Sequence, residues 1–442
     1  MPFEYLLGDS AAEVERLRAQ AALWDPVSHA LFDRIGVGPG WRVLEVGPGA
    51  GSLHAELRRR AGGGVDAVEQ SWALCQQLAE IARADGLGAG RLWNAQILDG
   101  ELADNHYDLI FARWVFLFLP QPLEHVKKLA AALRPGGLLV IQDYYRNTFC
   151  LVPRPAEWDA FVAADLAFFA TQGGNGNAGS ELPRWYREAG LETESVHATT
   201  MTGHPGSAVW SWLSNFFLGV MDQYATLPPF GADAARRIEA AWAEAAKDPS
   251  SLLIAPTVLD VVGRKPYHPE QRKAMDYLSR KGTRAPAEKL RAQLHDGFAA
   301  IETAFDAVPM EKRERAPAPG KWSPHEILDH LVLSHEPAIP QLASLLAGLR
   351  PQSPAVPADL HRDERPEWDA LRTQLGAIHQ EFLRLVATAS DNHSLNVKAM
   401  IEMVVKVDAK PVRWLEPLDW KAFVQAIRVH TLEHLSQLER AL

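Results

Sequence analysis

The chain has 442 residues, 47% of them hydrophobic and 23% charged, with a formal net charge of -10. That suits a protein with a full core and room for two or three domains, and its acidity argues against a nucleic-acid partner held by general phosphate attraction. Two cysteines, Cys75 and Cys150, exclude a disulfide scaffold or a cysteine zinc site and suit a reducing cytoplasmic setting.

The opening stretch MPFEYLLGDSAAEVERLRAQ is charged within a few positions and carries no long apolar run, so no signal peptide is predicted. The most apolar segments, Trp114–Leu119 and Val209–Met221, are too short or too polar for a bilayer, so no membrane partner is expected. Residues Ala11 to Ile35 carry two helical patterns, with Asp25-Pro26 as the start of the second. Strand-like and helical runs then alternate: Arg42–Val46, Ser52–Arg60, Val65–Glu69, Trp72–Ala84, Arg91–Asn94, Tyr107–Ala112, Pro122–Leu133 and Leu138–Asp143. This alternation predicts a mostly parallel sheet with helices on both faces. Ligands in such sheets bind beyond the carboxyl ends of the strands. Glu45, Glu69, Asn94, Arg113 and Asp143 all fall there.

Between the first strand and its helix lies Glu45-Val46-Gly47-Pro48-Gly49-Ala50-Gly51. Alternate glycines let the chain turn sharply and let a ligand approach the main chain, while the following helix aims its free N–H groups at the same spot. Glu69, at the end of the next strand, stands where nucleotide-binding βαβ units place a carboxylate against ribose hydroxyls. Dinucleotide enzymes favour G-x-G-x-x-G; glycine-rich turns also occur in other α/β proteins.

The spacing E-x-G-x-G-x-G resembles motif I of the class I S-adenosylmethionine-dependent methyltransferases. Tyr107-Asp108-Leu109-Ile110-Phe111-Ala112-Arg113-Trp114 and Leu133-Arg134-Pro135-Gly136-Gly137-Leu138-Leu139-Val140 resemble the later motifs. Tyr5-Leu6-Leu7-Gly8, with Arg16 and Gln20, resembles a small-molecule, type 11-like subgroup whose N-terminal helices cover the cofactor. The resemblance implies a Rossmann-like domain over residues 1–266, with Val258–Lys265 as its last strand in a seven-stranded sheet. It also implies S-adenosyl-L-methionine as cofactor. Gly47 and Gly49 would approach the methionine part, Glu45 its ammonium, Glu69 the ribose, and Asn94 with Ala95 the adenine, with Gly51, Gln70 and Gln96 in the same cofactor set. Asn94 replaces the family's usual acidic residue; its amide oxygen still accepts a hydrogen bond, without charge. Tyr5, Gln20, Arg113 and Trp114 complete the expected cofactor set. Arg113, Asp143, Tyr144 and Tyr145 are the candidates near the methyl group and the acceptor, by position.

The polar run Gly173–Gly179 predicts a solvated loop, with a mobile lid over the substrate as the alternative. Trp210, Trp212, Phe216, Phe217 and Tyr224 recur at helical spacing, which predicts core, with a wall for an apolar acceptor as the alternative. Residues 267–286, basic and broken by prolines, read as a linker with one short helix and a solvated charged face.

From Ala287 the pattern is helical: Ala287–Val308, Pro324–Leu349, Glu367–Ala389 and Asp419–Ala441, which predicts an all-α four-helix bundle over residues 287–442. Ser323-Pro324-His325-Glu326 is a capping box that sets the faces of the second helix. His430 and His434, four apart on the apolar stripe of the last helix, present two nitrogens to one point. With His330 from the second helix they make a three-ligand metal site; a hydrogen-bonded pair of core histidines is the ordinary alternative.

Gly320-Lys321-Trp322-Ser323, Glu326 through Leu331 and His430 through Leu438 resemble the DinB-like family, four-helix bundles that bind a divalent metal through three such histidines. The resemblance implies metal on His330, His430 and His434, with zinc, nickel or iron all compatible with imidazole, and an acidified water or thiol there. Family activities include thiol transfer and maleylpyruvate isomerisation, and related bundles accompany methyltransferase modules in thiohistidine biosynthesis. His325, His335, His379 and His393 match nothing in the motif and are expected at the surface or as caps.

Three readings follow: a methyltransferase for a small-molecule acceptor with a metal-binding second domain; a bifunctional enzyme adding metal-dependent thiol transfer or isomerisation; and a binding or assembly protein with a structural cofactor pocket. A homodimer is compatible with each.

Overall fold

In chain order, α1 (Ala11–Ile35) precedes β1 (Val43–Val46), α2 (Ser52–Ala61), β2 (Asp66–Glu69), α3 (Trp72–Ala84), β3 (Leu92–Asn94), β4 (Tyr107–Arg113), α4 (Pro122–Ala132) and β5 (Leu133–Tyr145). There follow β6 (Cys150–Val152), α5 (Trp158–Ala170), α6 (Ala178–Glu188), β7 (Glu192–Thr199), β8 (Thr202–Gly203), α7 (Ala208–Gly219), α8 (Met221–Tyr224), α9 (Gly231–Ala245), β9 (Leu252–Ile254) and β10 (Thr257–Arg264). This computed structural model describes residues 11–442, except positions 172, 350, 352–356, 358, 359, 363 and 409 and the side chains of residues 11–18. The chain divides into two compact units, the first ending at Pro266 and the second comprising Tyr267–Leu442 together with Gly38–Gly40.

The first unit holds a seven-stranded sheet in the order β3-β2-β1-β4-β5-β10-β7. Strands β1 to β5 are parallel, and β10 runs antiparallel between β5 and β7. Successive side chains enter opposite cores. Leu44, Val46, Ile110, Ala112, Leu139 and Ile141 pack with the aromatic helices. Val43, Leu109, Phe111, Leu138 and Val140 pack with α1 and α2. Burial on both faces explains why these strands read as continuous apolar runs rather than alternating ones.

Helix α1 corrects an expectation: it is one helix with Pro26 inside it, not two. An internal proline costs roughly 3 kcal/mol. Trp24, Leu31 and Phe32 are essentially fully buried on either side of it, and burying such side chains offsets that cost, at about 1.5–3 kcal/mol each. Polar bonds also seat α1 on the sheet: Ser28 donates to Gln142 at 2.5 Å, and Arg34 pairs with Asp260 at 2.6 Å.

The second unit contains α10 (Pro269–Leu278), a π turn (Ser279–Thr283), α11 (Ala287–Asp306), α12 (Pro324–His335), α13 (Ala338–Leu346), α14 (Trp368–Thr388), β11 (Ala399–Val407), β12 (Lys410–Leu418) and α15 (Trp420–Ala441). Its core collects Leu294, Phe298 and Ile301 of α11, Leu328 and Leu331 of α12, Leu375 and Phe382 of α14, and Phe423 and Leu438 of α15. Leu278 and Ala285, from the stretch read as a linker, are buried in that same core. The run 324–349 is two helices rather than one, because Pro337 brings no N–H to continue the ladder of α12. The bundle also carries an antiparallel hairpin, β11–β12, paired from Ala399 with Leu418 to Val407 with Lys410. The helical reading placed no strand there, although Val404, Val405, Val407 and Val412 are β-branched. Among the described residues no helix is long and apolar enough to cross a membrane.

Candidate functional site

The β1–α2 turn is built for close approach. Gly47, Gly49 and Gly51 take φ of 62°, 55° and 83°, a region costly for residues with a Cβ. A Cβ on Gly47 would stand 2.6 Å from Val115 Cγ2, and one on Gly51 2.6 Å from Ile81 Cδ1. Gly51 caps α2 with no side-chain acceptor, so no cap side chain covers the first N–H groups of α2.

Glu69 lies across this turn. One carboxylate oxygen accepts from Gly49 N at 3.3 Å and the other from Ser71 N at 2.9 Å. Burial raises its pKa, against the pull of those two amides. Asn94 donates through Nδ2 to the carbonyls of Glu69 at 3.1 Å and Gln70 at 2.8 Å, which leaves Oδ1 as its acceptor. Ala95 N donates to Glu69 O at 3.1 Å, Gln96 is half-buried and Gln70 is exposed. Glu45 is buried, with His54 Nδ1 3.0 Å from its carboxylate.

Beyond the ends of β4 and β5 the remaining candidates meet α1. Arg113 donates to Asp25 at 2.9 Å and to Ser28 at 3.0 Å, and its guanidinium lies 4.6 Å over the Trp114 ring. Trp114 stacks on Tyr144 at 5.5 Å with the rings 6° from parallel, and Gln20 Nε2 lies 3.5 Å from the Tyr144 hydroxyl. Tyr145 is half-buried. Asp143 is fully buried and accepts from Tyr144 N at 2.8 Å and Leu117 N at 3.1 Å, with its pKa pushed up to about 7 by burial. Those bonds make it an anchor for the turn after β4. Tyr5 lies outside the described residues, as does the Arg16 side chain.

The run 173–179 is not a solvated loop. Asn175 N donates to Leu117 O at 2.9 Å, Asn177 Oδ1 accepts from Arg146 N at 2.8 Å, and a Cβ on Gly179 would stand 2.5 Å from Asp143 O. Arg146 itself was missed by sequence reasoning. It pairs doubly with buried Asp165 at 2.7 and 2.6 Å, and the Tyr224 hydroxyl donates to the same carboxylate at 2.7 Å. Tyr144, Phe169, Phe216 and Phe217 surround the guanidinium. The pairing joins the turn after β5 to α5 and α8, a distance along the chain that no local motif spans. Trp210, Trp212, Phe217 and Tyr224 are core, as the spacing suggested.

In the second unit His330, His430 and His434 offer nitrogens that all lie within 4.8 Å of one another. Nε2 of His430 is 3.0 Å from Nε2 of His330 and 3.1 Å from Nε2 of His434. Two nitrogens of a tetrahedral zinc site stand about 3.3 Å apart, so this spacing fits a cation bound between them. Nδ1 of His330 donates to Leu360 O at 2.9 Å, and Nδ1 of His434 bonds Gln437 Oε1 at 3.2 Å. With the proton on Nδ1, each Nε2 keeps its lone pair for the cluster. Burial and the neighbouring rings lower the pKa values of His430 and His434, the latter to about 3, which keeps these two rings neutral as metal ligation requires. Trp322 stacks on His434 at 5.7 Å.

Three of the remaining histidines depart from a surface role. His335 is fully buried with Nε2 3.2 Å from His430 Nδ1; His379 is buried against Phe298 at 3.7 Å; His325 is buried and bonded to Glu314. His393 does cap a turn, accepting from Ser390 N at 3.1 Å.

A methyltransferase-domain family matches residues 44–141, and the DinB superfamily matches residues 262–438. The chain is 30% identical over 236 residues to a ubiquinone biosynthesis O-methyltransferase of Bordetella bronchiseptica, covering 46% of this chain and 89% of that one. It is 30% identical over 127 residues to methyltransferase GfsG of Streptomyces halstedii, covering 27% of this chain and 46% of that one. It is 24% identical over 185 residues to an uncharacterised methyltransferase of Schizosaccharomyces pombe, covering 40% of this chain and 66% of that one. These matches join the alternate-glycine turn and its carboxylate to the strand order β3-β2-β1-β4-β5-β10-β7. The chain belongs to the class I S-adenosylmethionine-dependent methyltransferases, and its second unit to the DinB superfamily.

Proposed function

We propose that the chain methylates a small-molecule acceptor, using S-adenosyl-L-methionine held by the first unit, and that the second unit holds a divalent metal on His330, His430 and His434. The observation that carries the first part is the turn at Gly47, Gly49 and Gly51, all at positive φ, where a Cβ on Gly47 or Gly51 would collide, with Glu69 bonded to Gly49 N. That turn suits close contact with the methionine part, Glu69 suits ribose hydroxyls, and Asn94 and Ala95 suit adenine. A bound adenosylmethionine supplies an electrophilic methyl for in-line displacement. The chain's own contribution is position and dryness. Trp114, just past β4, and Tyr144, near the end of β5, form a stacked wall, Arg113 ties α1 to it, and Asp143 fixes the turn that carries Val115 to Phe118. In this reading Tyr144 and Tyr145 orient the acceptor.

A second reading, in which the second unit runs its own chemistry, is favoured by the donor count. Three imidazoles rather than four are the set of sites that keep a position for substrate, and a divalent cation there supplies Lewis acidity. The test is to incubate the full chain with methyl-labelled cofactor and a metabolite extract and to identify the labelled product. Label in a small molecule supports the proposal. Turnover that needs metal but not adenosylmethionine supports the second reading, and cofactor retention with no labelled product counts against methylation as the activity.

A further inference from the structure

Beyond the three converging histidines lies a second row of buried groups. His335, the last residue of α12, is fully buried, and its Nε2 lies 3.2 Å from Nδ1 of His430. His379 of α14 is also buried, its ring centre 5.7 Å from that of His335, and its Nδ1 bonds Glu302 of α11 at 2.6 Å. Glu302 is the one member of this row with substantial exposure, 32% for its side chain. Nδ1 of His335 and Nε2 of His379 are buried and have no hydrogen-bond partner.

The proton positions along this row are linked. A carboxylate only accepts, so His379 carries its proton on Nδ1 and keeps a lone pair on Nε2. His330 and His434 turn lone pairs toward His430 Nε2, as their Nδ1 partners require. His430 therefore has two arrangements. With its proton on Nε2 it bridges the other two rings and accepts from His335, and no cation fits. With its proton on Nδ1 it donates to His335 Nε2, and three lone pairs converge on one point. In that second arrangement His335 bears its proton on Nδ1, a buried donor beside the buried acceptor His379 Nε2. The His430–His335 and His379–Glu302 bonds then run the same way, toward the Glu302 carboxylate, with His335 Nδ1 and His379 Nε2 left unbonded between them.

We propose that His335 is the outer positioning residue of the three-histidine centre, selecting the Nδ1–H form of His430, and that His379 and Glu302 orient His335 in turn. This rests on the metal reading given above. His430 is the one of the three whose Nδ1 faces another imidazole, a group that donates or accepts through the same ring nitrogen without moving, so His335 is where its ligand form is decided. Residues that orient ligands in this way usually change metal affinity by about 10- to 100-fold.

The test uses the full chain, stripped with chelator and titrated with cobalt(II), reading visible ligand-field bands and affinity by chelator competition. In His335→Leu the affinity falls by about 10- to 100-fold and the bands shift. In His335→Gln, whose side-chain oxygen accepts from His430, most of the affinity and the band positions return. Glu302→Gln, at a partly exposed site that tolerates replacement, gives a smaller loss in the same direction and stands in if His335→Leu does not fold. Wild-type affinity and bands in His335→Leu, or no recovery in His335→Gln relative to His335→Leu, overturn the positioning role. A wild-type chain that binds no cobalt(II) overturns the metal reading itself, and the two failures are told apart by that control.

Discussion

The two units make their sites by opposite means. In the first, the cradle is main chain: three glycines within five residues, one carboxylate 20 positions after the middle glycine, and the uncapped start of α2. In the second, the cluster is side chain: imidazoles from α12 and α15 meet across 100 residues of sequence, with a second row from α11 and α14 behind them. A main-chain site tolerates little added volume but is indifferent to most neighbouring side chains. A side-chain site depends on each ligand, and on the groups that hold each ligand's proton in place.

The largest expected effect is on the side-chain site. Replacing both His430 and His434 by alanine removes two of three ligands and takes divalent metal in the purified chain from about one equivalent to a trace, measured by elemental analysis. Equal metal in the variant would place the ion elsewhere. In the main-chain site, Gly47→Ala adds a Cβ 2.6 Å from Val115 Cγ2 at a φ of 62°. It should weaken adenosylmethionine binding by tenfold or more, given about 1–2 kcal/mol for the backbone alone. Adding Val115→Ala relieves the collision but not the φ, so partial recovery in the double variant separates the two causes. Glu69→Ala removes a buried acceptor of two amides; at about 1.5–3 kcal/mol for a charged hydrogen bond, cofactor affinity falls by about 10- to 100-fold. Titration calorimetry measures both.

A smaller effect concerns Asp143. Its folded pKa, about 7, lies above the ordinary carboxylate value of 3.8. The folded state therefore holds a proton more tightly than the unfolded chain. Stability from this group is full below about pH 4 and is lost as the pH rises to about 7. Comparing unfolding temperatures of the wild type and Asp143→Asn across that window should show a decline in the wild type that the variant lacks. Parallel curves would mean that the carboxyl titrates as it does in the open chain.

Legibility follows the same division. The strands of the first unit were readable because both their faces are buried, and the glycine turn because backbone geometry is written in contiguous residues. Glu69 was found through its fixed distance from that turn. What was not readable depends on distant partners: α1 continues through Pro26 because Trp24 and Phe32 find a core, and Arg146 meets Asp165 and Tyr224 from separate helices. His335 falls five residues after His330, off the helical stripe, so its place beside His430 emerges only once α12 packs on α15. The hairpin β11–β12 did leave a local trace in its valines, overlooked within a helical half.

The central claim is that the alternate glycines and Glu69 clasp one sulfonium nucleoside. The most direct measurement is calorimetric titration of the full chain with S-adenosyl-L-methionine beside its Gly49→Asp variant, which sets a second carboxylate against Glu69. The account predicts saturable binding at about one site per chain in the wild type, lost in a variant that still unfolds cooperatively well above the titration temperature. Equal binding by both proteins, or a wild type that takes a nicotinamide dinucleotide and ignores adenosylmethionine, would contradict it.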